Sequence, residues 1–153
     1  MSAEGLILDA ETADGVWLRG TRVLFLAGAD NAEGGSALEM RTVPGFDTGA
    51  HRHSRIEEYF YVLDGQIEAR AGDRTVAGGP GTFVYVPRGL PHSIANRSAD
   101  PAAFLLFTTP PGHENYFRDL AEVLAVDGPP DAQRIAQVRA RHDTEQLSTL
   151  QTG

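Results

Sequence analysis

The chain has 153 residues with a net charge of −8 and is 41% hydrophobic, which suits one domain with its own core. It has no cysteine, and all thirteen of its basic Lys-or-Arg positions are arginine, so thiolate nucleophiles, iron–sulfur clusters, Cys-bound zinc, disulfides and lysine Schiff bases are all excluded. The acidic balance argues against nucleic acid and anionic membranes as partners. No apolar run reaches bilayer length and no basic-then-apolar leader opens the chain, so the cytoplasm is the expected location.

Residues 1–15 are acidic and weakly patterned, as expected of a surface lead-in. Strands are expected over 16–19 and 22–27, a loop over 28–36, and a strand over 37–43 with Leu38, Met40 and Thr42 on one face. Pro44-Gly45 turns the chain toward His51 and His53, whose i, i+2 spacing puts both imidazoles on one face of an extended strand. A strand over 57–63 follows, with Asp64-Gly65 as a two-residue hairpin turn into an alternating segment over 66–70. Turns at 71–73, 78–81 and 87–91 separate strands over 74–77, 82–86 and 92–96, and a last long strand is expected over 102–108. Short strands at such even spacing indicate an antiparallel barrel or sandwich.

After Pro110-Pro111-Gly112 the pattern becomes helical. Phe117, Leu120, Ala121 and Leu124 share a helical face within 114–126, and Asp131 is a plausible N-cap for a second helix carrying Ile135 and Val138. The final segment, LSTLQTG, is expected to be loose. The division is a β-barrel over 1–112 and a helical extension over 113–153 that packs on it.

The residues that carry chemistry are imidazoles and a carboxylate. His51, His53, Glu58 and His92 supply three nitrogens and one oxygen, a set that suits Fe, Mn, Ni, Co, Cu or Zn and is too nitrogen-rich for Mg or Ca. Four protein ligands on an ion that accepts five or six leave positions open. His113 and His142 are expected to be ordinary core or surface histidines.

Two spaced motifs resemble those of the cupin superfamily. Gly45, His51, His53, Glu58 and Gly65 follow the first, and Gly81, Pro87, Gly89, His92 and Asn96 the second, with fifteen residues between Gly65 and Gly81. The flanking strands and the segment PPGHENYFRDL are more loosely similar to single-domain cupins described as quercetin 2,3-dioxygenase-like. The resemblance implies an all-β, double-stranded β-helix barrel of jelly-roll type with a short C-terminal helical tail. It also implies one divalent transition metal ion per chain, held inside by His51, His53, Glu58 and His92. Glu57 competes with Glu58, but neighbours on a strand face opposite sides, and the offset to Gly65 favours Glu58. That choice puts Phe60 and Val62 on the ligand face, and Met40, Phe83, Tyr85, Ile94 and Phe104 complete the expected substrate pocket. Tyr59, Tyr61 and Leu63 then form an apolar opposite face that the tail helices or a second subunit must cover, and a homodimer is expected.

The activity implied is dioxygenation of a small aromatic or enolic molecule, with Glu58 as ligand and general base and dioxygen as co-substrate. A metal-dependent isomerase, cyclase, decarboxylase or lyase needs the same ligands, and a non-catalytic small-molecule-binding cupin is the third reading.

Overall fold

The computed structural model describes residues 4–148. A 3-10 turn, Ala10–Thr12, precedes strands β1 Gly15–Leu18, β2 Thr21–Ala27, β3 Ser36–Thr42, β4 His51–Arg52, β5 Glu57–Asp64 and β6 Ile67–Ala71. Then come β7 Arg74–Gly78, β8 Phe83–Val86, β9 His92–Ala95 and β10 Ala102–Thr109, helices α1 Glu114–Leu124 and α2 Ala132–Arg141, and a short β11 Glu145–Gln146. The strands form two antiparallel sheets, of order β1-β2-β3-β10-β5-β8 and β11-β4-β9-β6-β7. Their facing sides make the core.

Alternation of side chains along the central strands decides what lies inside. Ser36, Leu38, Met40 and Thr42 point inward from β3, Glu58, Phe60 and Val62 from β5, and Ala102, Phe104, Leu106 and Thr108 from β10. The register sets Leu106 between Leu38 and Phe60, and Phe104 between Met40 and Val62. Each such fully buried apolar side chain contributes roughly 1.5–3 kcal/mol, so these layers hold the sheet that carries Glu58.

Asp64-Gly65 is not a hairpin turn. β5 pairs with β10 and β8, whereas β6 pairs with β7 and β9. The chain crosses from one sheet to the other here, and the hairpin lies one strand later, between β6 and β7. Gly65 has φ +70, and a Cβ on it would stand 2.6 Å from the Pro101 carbonyl oxygen, so the crossing requires glycine.

The tail is tied back to the barrel at several points. Arg19, in the β1–β2 turn, donates to the carbonyls of Leu124, Val126 and Gly128 at 3.1, 3.0 and 2.8 Å, satisfying acceptors at and past the end of α1. Asp131 caps α2 by accepting from the amides of Gln133 and Arg134. β11 then pairs with β4, and the Leu147 amide donates to the Ala50 carbonyl, so the start of the expected loose end is bound to the sheet. Residues 149–153 lie outside the described part. No helix among the described residues is long and apolar enough to cross a membrane.

Candidate metal centre

Four ligand atoms, one each from His51, His53, Glu58 and His92, lie within 4.8 Å of one another, and all four residues are buried. His51 faces His92 directly across the β4–β9 pair, with ring centroids 4.2 Å apart. His53 follows two residues after His51, and the carbonyl of His53 accepts from the Gly89 amide. The Pro87–Leu90 turn before His92 is therefore pinned to the chain carrying the first histidine pair. Glu58 enters from the other sheet, only 2% exposed.

Glu57 points the other way. Its carboxylate pairs with Arg88 at 2.9 Å and accepts from the Tyr85 hydroxyl at 2.8 Å on the outside of the sheet. Strand alternation thus separates the two glutamates as expected.

Hydrogen bonding prepares the three imidazoles for a cation. Nδ1 of His51 lies 2.8 Å from the Gly49 carbonyl oxygen, Nδ1 of His53 2.9 Å from that of Asp143, and Nδ1 of His92 2.9 Å from that of Leu90. A carbonyl only accepts, so each Nδ1 carries its proton, and in the neutral ring each Nε2 is a bare lone pair. Nε2 of His92 stands 2.6 Å from Oε2 of Glu58, and Nε2 of His53 stands 3.4 Å from Oε1. Buried acceptors facing one another at such distances repel unless a cation sits among them. A proton or a metal ion meets that need, and the N3O donor set fits a divalent transition ion.

Without a metal, protons take the role. Burial raises the Glu58 pKa, but its hydrogen bonds and charge interactions with His53 and His92 win and hold it well below the usual carboxylate range. Burial lowers the His53 pKa, yet Glu58 outweighs it and leaves the value raised. His51, dominated by burial with His92 beside it, is pushed down to about 3 and stays neutral.

The cluster opens on a cavity of about 360 Å³ between the barrel and the two helices. Met40, Phe60, Ile94 and Phe104 line it together with His51, His53 and Glu58. Val62 is buried but packs in the core without reaching the cavity. Phe83 and Tyr85 do not belong to it. They are 60% and 44% exposed, and their register partners are Tyr61 and Tyr59 on the outer face. Cross-strand partners share a face, so Val84 and Val86 point inward instead.

Three residues of the tail join the cavity without having been anticipated. His113, just before α1, is buried with Nε2 3.6 Å from Oε1 of Glu58, and its ring centroid is 5.3 Å from that of His53. It stacks on Tyr116 at 5.4 Å, and burial pushes its pKa down to about 4. Tyr116 and Arg139 also line the cavity. The expectation of an ordinary histidine holds for His142, whose Nε2 pairs with Asp119 at 2.6 Å away from the cluster, and fails for His113. Arg139 did carry a signal, since it falls four residues after Ile135 and so on the same helical stripe.

Comparison with known proteins agrees with this architecture. Residues 38–108, running from β3 to β10, match the family described as Cupin domain. The chain thus has a cupin fold with a central segment that matches the Cupin domain model, and the helical tail lies beyond the matched segment. The polyketide cyclase RemF from Streptomyces resistomycificus superposes with a TM-score of 0.61 at 25% identity, covering 69% of this chain and 79% of that one. The protein TT1209 from Thermus thermophilus gives 0.58 at 25% identity, covering 68% and 96%. A cupin-superfamily sugar phosphate isomerase from Silicibacter pomeroyi gives 0.61 at 22% identity, covering 68% and 75%, a likeness of fold. No curated protein matches the sequence.

Proposed function

We propose that the protein is a metal-dependent enzyme acting on a small aromatic or enolic molecule in the cavity beside His51, His53, Glu58 and His92. The observation that carries this is the trio of Nδ1–carbonyl contacts, which leaves Nε2 of three buried histidines free within 4.8 Å of one buried carboxylate. A bound divalent transition ion would supply Lewis acidity, lowering the pKa of a substrate hydroxyl. The chain's own residues do the rest. Phe60 and Phe104, with ring centroids 5.8 Å apart, offer an apolar wall for a ring. Glu58 is the carboxylate within the histidine cluster and the group placed to take the ionised proton. Tyr116, Phe117 and Ile135 bring the two helices to one wall of the cavity, and where they exclude water each polar contact is strengthened.

Dioxygenation of that ionised substrate is the reaction favoured by the resemblance of the motifs and tail to quercetin dioxygenase-like cupins. A non-oxidative second reading, cyclisation or isomerisation, is favoured by the 25% identity to the RemF cyclase over 79% of its length. Turnover of flavonols and related enols by metal-loaded protein in an oxygen electrode separates the two. Oxygen uptake matched to product supports the first, and product without uptake supports the second.

A second copy of the chain is proposed to cover the outer face of β5, β8 and β10. Tyr59, Phe83, Tyr85 and Phe107 cluster there with centroid distances of 5.0–6.4 Å. The tail helices lie elsewhere, against β1 and β11.

A further inference from the structure

Arg139 is the feature of the cavity that a metal centre does not explain. It is 8% exposed, on the stripe of α2 that also buries Ile135 and Val138. Nη2 donates to the Thr48 carbonyl at 3.2 Å and the guanidinium also engages the Tyr116 hydroxyl, but Nε and Nη1 are sealed from solvent with no partner of good hydrogen-bond geometry among the described residues. A guanidinium does not lose its proton, so a full charge with most of its five N–H donors unspent is held inside the protein.

Arg41, Arg52, Arg88, Arg97, Arg118 and Arg141 each have a carboxylate partner. Of the arginines without one, Arg19, Arg55, Arg70, Arg74 and Arg134 are exposed to water and Arg22 lies over the Trp17 ring. The buried arginine, where an unpaired charge costs most, has none among the described residues. Its side chain lines the same cavity as His51, His53 and Glu58. Tyr116 lies between these two poles. Burial raises the pKa of its hydroxyl, with Arg139 pulling it down and Glu58 adding to the rise, so it is within electrostatic reach of both.

We infer that Arg139 is the anchor for a carboxylate on the ligand, held at the α2 side of the cavity while the ligand's ring or enol reaches the histidine–glutamate cluster. The planar guanidinium fork matches a carboxylate in two parallel hydrogen bonds, and Tyr116 stands beside it. The substrate class narrows to organic acids carrying a ring or enolic oxygen. This rests on reading the cavity as a substrate site. Arg139 lies outside the segment matched to the cupin family, which makes acid selectivity a property of this chain's tail.

The test uses acid–amide pairs as probes: benzoate with benzamide, phenylacetate with phenylacetamide, and hexanoate with hexanamide. Affinities are measured by calorimetry on the full chain, both stripped with EDTA and reloaded with Mn(II). The wild type is expected to prefer at least one acid over its amide by about tenfold or more, the scale of charge-assisted hydrogen bonds. Arg139→Met should reduce that preference to less than about twofold, leave amide binding intact and melt no lower than the wild type. Arg139→Lys, which keeps the charge without the fork, should fall between, and it decides the matter if the Met variant does not fold. Persistence of the preference in stripped protein separates this inference from the metal reading. Absence of any acid preference in the wild type, or its retention in both variants, overturns the inference.

Discussion

Substituting His113 with phenylalanine should flatten the pH dependence of stability in metal-free protein. His113 is buried, its Nδ1 has no partner, and burial depresses its pKa from 6.5 to about 4. The unfolded chain binds a proton at this residue before the folded chain does. Stability from His113 is therefore fully present above the unfolded value of 6.5 and is lost as pH falls from there toward about 4. Between about pH 7.5 and about pH 5.5 the folded residue stays neutral while the unfolded one titrates, which costs about 1.4 kcal/mol. Phenylalanine keeps the stacking on Tyr116 and removes the titration. Urea unfolding in EDTA at the two pH values should show the wild type losing about 1.4 kcal/mol more than His113→Phe over that interval. His51 adds a loss of the same sign in both proteins, and His53, whose pKa is raised, opposes it in both, so His113 dominates the difference. An identical loss in the two proteins would refute the buried neutral imidazole.

Asp143 joins the tail to the ligand loop, because its carboxylate accepts from the amides of Ser54 and Arg55 while its carbonyl accepts from Nδ1 of His53. Asp143→Ala should cost about 1–3 kcal/mol in urea unfolding and weaken metal binding about 10–100-fold in a competition titration, by loosening His53. On the outer face, Phe83→Arg should convert a dimer into a folded monomer, read by light scattering with an unchanged circular dichroism spectrum. A wild type that is monomeric at high concentration would contradict a second copy on that face.

The four residues of the candidate metal centre were legible because their constraints are local. His51 and His53 share a face by strand alternation alone, and the same alternation sends Glu57 to Arg88 outside and Glu58 inside. What the sequence hid depends on long-range pairing. The parity of β8 was open until the Tyr59–Tyr85 and Tyr61–Phe83 register placed both aromatic residues outside. Asp64-Gly65 has hairpin chemistry, yet the positive φ it supplies serves a crossing between sheets. His113 reaches Glu58 because β10 runs beside β5 before α1 begins, a neighbour relation between segments far apart in the chain. β11, two residues long, has too little pattern to announce itself and is fixed by its pairing with β4.

The central claim is a metal centre made by His51, His53, Glu58 and His92. Its most direct test is titration of EDTA-stripped protein with Fe(II), Mn(II), Co(II), Ni(II), Cu(II) and Zn(II), followed by elemental analysis after desalting. About one ion should be retained per chain for at least one of these metals, and His51→Ala should retain none while remaining folded. A wild-type chain that keeps no ion, or a His51→Ala chain that keeps a full equivalent, would contradict the account.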